Sequence, residues 1–191
     1  RGTARRPTAM AVAFTPDVWE RVQVRLFSEK PPIFSPSQAR DAAQEGTVLV
    51  VDVRPEDDFA KSHAPGAVSA PYFRDLQSWD LKNVLKRAVY AVNGVKGSEP
   101  NPEFVDLVKD YAKEGKTLLF MCDAGGSYEP LPGFIKGKAS RSLQACDTAM
   151  EMAGVSNVGH VDGGLRGWGQ DGLPLEGSDP DFWQVKASAL P

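Results

Sequence analysis

The chain has 191 residues, 41% of them hydrophobic and 25% charged, with a net charge of −3 at pH 7. Those fractions suit a packed domain and exclude a disordered polyelectrolyte, and the absence of an overall basic field argues against nucleic acid as a partner. No stretch reaches the ~20 consecutive apolar residues of a spanning helix, and two Cys and two His at unrelated spacings do not make a structural zinc site.

The first fourteen residues carry Arg1, Arg5, Arg6, Thr3 and Thr8 and no acid, which reads as the tail of an organellar transit peptide or as a basic arm. Thr15-Pro16-Asp17 opens a helix by N-cap hydroxyl, Pro at the first turn and an early acid. Val18, Val22 and Leu26 give it an apolar stripe, and it stops before Pro31-Pro32. Residues 1–33 read as an N-terminal extension outside the main domain, one that lies back on the core or docks elsewhere; the domain spans 34–178 and is followed by a tail, 179–191.

Ser35-Pro36-Ser37 starts a second helix through Ala43, ended by Gly46. Val48-Leu49-Val50-Val51 is a short continuous apolar run and reads as a buried parallel strand leading to Asp52. Ala67-Val68, Leu118 to Met121 and Val158 to Val161 continue the sheet, and the intervening helical patterns make it an α/β fold. Leu81, Val84, Leu85, Ala88, Val89 and Val92 keep helical spacing, with Lys82, Lys86 and Arg87 alongside: a basic amphipathic helix that covers a core or lies on an anionic surface. Asn101-Pro102-Glu103 caps a further helix to Tyr111, and Leu143 to Ala153 is helical again.

Cys122 is the leading functional candidate. It ends the strand 118–121 and opens the loop Asp123-Ala124-Gly125-Gly126, which reaches a helix only at Arg141-Ser142. A thiol at the C-terminal end of a parallel strand, facing loop amides and a helix start, sits where the fold holds an anion, and such a field favours a nucleophilic thiolate. Cys146, within a helix, reads as a small buried hydrophobe.

Three pieces in this order resemble the rhodanese superfamily: Asp52-Val53-Arg54-Pro55-Glu56 with Ser62-His63-Ala64-Pro65-Gly66; Cys122-Asp123-Ala124-Gly125 with Ser140-Arg141-Ser142; and Asp162-Gly163-Gly164-Leu165-Arg166-Gly167-Trp168. The long 71–102 insert and the lengthened Cys loop look most like plant and algal chloroplast rhodanese-like sulfurtransferases. The resemblance implies a five-stranded parallel sheet flanked by helices. It also implies persulfide chemistry on Cys122, with a small sulfane-sulfur donor such as thiosulfate and a thiol protein as acceptor, and chloroplast residence, stromal or thylakoid-associated. Asp123, Ala124, Gly125, Gly126, Arg141 and Ser142 would bind the donor anion; Asp52, Arg54 and His63 would support the site, by pairing and by fixing the His63 turn. No cofactor or metal is implied. Family members usually put about five residues between Cys and Arg; here there are eighteen. A module whose loop has been remade for binding, an assembly subunit of a thylakoid complex for example, is the competing reading. The N-terminal helix, the 126–139 insert and the 81–92 helix are its surfaces for a membrane periphery or a large complex.

Overall fold

In a computed structural model, residues 16–75 and 98–180 are described. The expected basic helix at 81–92, the arm before Pro16 and most of the C-terminal tail lie outside them. Five strands form one parallel sheet: β1 (Ile33–Phe34), β2 (Val48–Asp52), β3 (Val68–Ser69), β6 (Thr117–Met121) and β7 (Val158–Val161), in the order β1-β7-β6-β2-β3. A separate antiparallel pair, β4 (Phe73–Asp75) and β5 (Ser98–Pro100), stands beside it. The helices are α1 (Pro16–Glu29), α2 (Pro36–Gln44), α3 (Glu56–Lys61), α4 (Phe104–Ala112), α5 (Arg141–Thr148) and α6 (Gly164–Gln170). A π-helical turn, Ala149–Ala153, prolongs α5 until Gly154 ends it in the left-handed region.

The sheet is covered on both faces, which is why β2 and β6 read as unbroken apolar runs. Alternate residues go to opposite layers. Leu49, Val51, Leu118 and Phe120 pack with Phe104, Val108, Leu143 and Cys146 from α4 and α5. Val48, Val50, Leu119 and Met121 pack with Ala39, Leu165 and Trp168 from α2 and α6. Cys122 continues the parity of Leu118 and Phe120, so its side chain belongs to the α5 face.

The first helix is not outside this core. Trp19, Val22 and Leu26 are buried in the same cluster as Phe120 and Leu143, and each such side chain removed from water is worth roughly 1.5–3 kcal/mol. Arg25 fixes α1 to α5 by pairing with Asp147 at 2.7 Å and with Glu151 at 3.1 Å. An apolar stripe announces that a helix is buried, not what buries it; here the α5 layer does.

Local capping follows the sequence closely at α2, where the Ser35 hydroxyl accepts from the Gln38 amide and Gln38 reaches back to the Ser35 amide. It differs at α4. Asn101 does not cap that helix directly: its side-chain oxygen accepts from the Glu103 amide and its amide donates to the Pro71 carbonyl, so it makes the turn before Phe104 and ties it to the link between β3 and β4.

Candidate functional site

Cys122 leaves β6 buried, 3% exposed as a residue, with its sulfur turned towards the first turn of α5. There the Ser142 hydroxyl donates to Cys122 Sγ at 3.3 Å. Ser140, the N-cap of α5, accepts at its Oγ from the Leu143 amide at 3.2 Å and lies 3.1 Å from Ser142 Oγ. With the Ser142 proton committed to sulfur, the Ser140 proton points to Ser142 Oγ. The two hydroxyls thus form a directed relay ending on the thiol, each bond polarising the next. The positive end of the α5 dipole lies behind it.

The loop after Cys122 is pressed onto the Gly163-Gly164 turn, and glycine is required where they meet. Gly164 has φ +57°, and a Cβ there would run into the Cys122 carbonyl and come within 2.7 Å of the Gly125 amide nitrogen. Gly125, at φ +60°, would place a Cβ 2.6 Å from the Gly163 nitrogen. The first amides of α6 are consumed in this contact: Leu165 N–H donates to the Cys122 carbonyl at 2.8 Å, and Arg166 N–H to that of Asp123 at 2.9 Å. The helix start that faces the sulfur is therefore that of α5 rather than α6.

Of the eighteen residues between Cys122 and Arg141, those beyond Ser127 and before Lys138 do not fall into the site. Ser127 and Lys138 pair antiparallel through both backbone bonds, at 2.9 and 2.7 Å, and close the insert at its neck. Beyond the neck the segment from Glu129 to Lys136 is exposed. One flank is held by α1: Trp19 Nε1–H donates to the Lys136 carbonyl at 2.8 Å, Gln23 to the Tyr128 carbonyl at 2.7 Å, and Phe27 meets the Tyr128 ring edge-on at 5.6 Å. Gly126 sits below the neck, where a Cβ would meet the Lys138 carbonyl and lie 2.7 Å from Ser140 Oγ.

His160 secures the same point from the sheet. Its Nε2 is 3.1 Å from the Gly126 carbonyl, so Nε2 carries the proton. Burial pushes this imidazole down to about 4. Protonation then favours the unfolded chain, where histidine titrates near 6.5. The stabilising effect of a neutral His160 is complete above about 6.5 and is lost as pH falls towards 4, to the extent of order 3 kcal/mol. In urea titrations His160→Gln should therefore be less pH-sensitive than the parent between pH 6.5 and 4.5; parallel curves for the two proteins would count against this role.

The candidate residues divide into two groups. Cys122, Asp123, Ala124, Gly125, Gly126 and Ser142 converge at the end of β6, while Arg141, half-buried at the first position of α5, pairs with no carboxylate among the described residues. Asp52 lies beside Met121 across β2 and β6, and its parity with Val48 and Val50 puts its side chain on the face opposite that of Cys122. Arg54 holds Asp52 through Nε and Nη2, with the shortest bond at 2.7 Å, and also donates to the Ser62 carbonyl; both side chains are essentially inaccessible. His63 stacks on Phe59 and its Nδ1 lies 2.8 Å from the Phe59 carbonyl, so its ring is held by α3, ahead of the turn that the Ala67 amide closes on the Ala64 carbonyl. Sequence reasoning named Ser140 and Arg166 only as motif letters: Ser140 is the start of the relay, and Arg166 pairs with Asp123 at 3.6 Å. The N-cap position of Ser140 was the available signal for the first. Both cysteines are free, and Cys146 is a core residue that donates to the Gly159 carbonyl, its thiol pushed up by burial.

A family model described as the rhodanese-like domain matches residues 35–171. Rhodanese-like domain-containing protein 14, chloroplastic, of Arabidopsis thaliana is 29% identical over 85% of this chain and 73% of its own length. Thiosulfate sulfurtransferase 16, chloroplastic, of the same plant is 26% identical over 66% of this chain and 78% of its own. A thiosulfate sulfurtransferase from Pseudomonas aeruginosa superposes with a TM-score of 0.49 at 14% identity, covering 85% of this chain and 23% of that one.

Proposed function

Since the chain belongs to the rhodanese-like domain family, we propose that it is a sulfurtransferase that carries sulfane sulfur as a persulfide on Cys122. The observation that carries this reading is the hydroxyl relay from Ser140 through Ser142 to Cys122 Sγ, set at the end of a buried parallel strand. The thiolate attacks the outer sulfur of a donor such as thiosulfate. The new bond joins Sγ to that sulfur, the donor's S–S bond breaks, and sulfite leaves with the electron pair. An acceptor thiolate, most naturally that of a protein, then attacks the outer sulfur of the persulfide and departs with it, returning Cys122 as thiolate.

The roles divide along the geometry. The Ser142 hydroxyl and the first turn of α5 stabilise charge on the sulfur, and Arg141 meets the anionic end of the donor. Asp123, held towards Arg166, keeps the loop backbone from Ala124 to Gly126 seated on the glycine turn. The chemistry needs no metal and no cofactor. Support for plastid residence comes from the two chloroplastic relatives, and the stroma or the stromal face of the thylakoid is where we place it.

The deciding experiment is intact-mass analysis after incubation with thiosulfate. Wild-type protein should gain the mass of one sulfur atom, and Cys122→Ser should gain none. A protein that takes up no sulfur, and whose Cys122 is also slow towards iodoacetamide, would instead support the second reading, a rhodanese-like module used for binding. The low exposure of the sulfur and the ordered insert are the observations that keep that reading in view.

A further inference from the structure

The insert ends in a built tip whose composition does not suit water. Leu131 and Phe134 are 41% and 49% exposed and Ile135 is 87% exposed, all within five residues. The tip is not a loose loop: Leu131 and Phe134 exchange backbone bonds at 3.0 and 2.8 Å, the Gly137 amide returns to the Phe134 carbonyl at 2.9 Å, and the neck is paired. Its shape is thus set before it meets anything, so little ordering entropy opposes docking. Phe27 on α1 extends the apolar surface. It contacts Tyr128 of the insert and lies one helical turn beyond Gln23, which lines the same groove as Phe134.

The charge around the tip has a sign. From Pro130 to Lys138 there is no acid, and Lys136 and Lys138 follow the apolar residues directly. The tip itself, residues 130–138, carries these two cations and no acid, and Glu129 at the neck and Asp17 and Glu20 on α1 lie outside it. Pro16 lines the same groove as Phe134. A convex, rigid, acid-free tip offers a folded partner few shape-matched contacts. A bilayer interface conforms to it, taking up the apolar side chains while lysines one step behind sit among the headgroups.

We propose that Leu131, Phe134 and Ile135 insert into the interface of an anionic membrane, with Lys136 and Lys138 bound to its headgroups. This inference stands on the insert alone and does not depend on sulfur transfer. It also orients the domain: the chain between the neck and α5 is two residues long, Ala139 and Ser140, so the insert leaves the molecule beside the Cys122 site.

Vesicle co-sedimentation of the full chain tests it, using phosphatidylcholine alone and an equal mixture with phosphatidylglycerol. The chain should sediment with the mixed vesicles and not with the neutral ones. Phe134→Ser with Ile135→Ser should lower partitioning by about tenfold or more, from the apolar area withheld. Lys136→Gln with Lys138→Gln should lower it by about tenfold, and high salt should mimic that loss. All four side chains lie outside the core, so an unchanged melting temperature confirms that each variant is folded. Failure of the parent to sediment, equal capture by neutral vesicles, or full binding by the Phe134/Ile135 variant would each overturn the proposal. So would a tip-dependent complex with a folded protein in the absence of vesicle binding.

Discussion

Arg54→Met is expected to lower the unfolding free energy by about 3–5 kcal/mol, the usual effect of removing one partner from a buried ion pair. Asp52 is wholly buried, and its carboxylate takes three side-chain bonds from Arg54 besides the Arg54 backbone amide. Methionine fills much of the space but leaves that charge and the Ser62 carbonyl without their donor. A domain of this size has about 5–15 kcal/mol in all, so the single variant should be partly unfolded at 37 °C. Asp52→Asn added to Arg54→Met should restore part of the loss, because the orphaned charge is gone. Urea denaturation monitored by Trp fluorescence decides it, and a loss below about 1 kcal/mol would mean that the pair is better hydrated than its burial implies.

Gly164→Ala should have the largest effect on the site itself. The added methyl must displace the Cys122 carbonyl, at a backbone angle of +57° that alanine adopts only with strain. Moving that carbonyl breaks its bond from the Leu165 amide and shifts the sulfur relative to Ser142. Displacements of about 1 Å in a reacting group commonly cost about 100-fold in rate, and a loss of that order is expected in both Cys122 alkylation and persulfide formation. Gly115→Ala supplies the matched control, since Gly115 also has a positive φ, +73°, but nothing within 4 Å of its absent side chain. It should lose a little stability and keep its reactivity. Equal reactivity in the two variants would show that the glycine turn does not shape the Cys122 loop.

The central sheet was readable because its physics is local. The runs at 48–51 and 118–121 are apolar without a gap, and only a strand covered on both faces calls for that. Cys122 was readable for the same reason, as the residue that follows such a run. The edge of the sheet was not. Ile33–Phe34 is a two-residue strand whose identity rests on pairing with His160 and Val161, more than a hundred residues on. The β4–β5 pair flanks residues 76–97 and has no alternation to announce it. The placing of α1 and of the insert depends on bonds such as Trp19 to Lys136 and Gln23 to Tyr128, which no window along the chain can contain. That Asp52 and Arg54 pair with each other or with loop amides was legible from their place after a buried strand, whereas the relay needed α5 to start where it does, with Ser140 at the cap and Ser142 in the first turn against the sulfur.

The Ser127–Lys138 neck has a consequence for how this sequence can vary. Through the covalent chain Cys122 and Arg141 are separated by eighteen residues, but across the paired neck the path passes only five residues on one side and three on the other. The cradle is built by that shortcut, and although Tyr128 and Gly137 are held tightly beside the neck, the exposed residues from Glu129 to Ile135 are free of the contacts that hold Gly125 or Gly164. Lineages can lengthen, shorten or recompose them and leave the thiol where it is. An inventory of intervening residues therefore misjudges such a protein, whereas the position of the crossing, and the glycine beneath it, tells whether the nucleophile still has its setting.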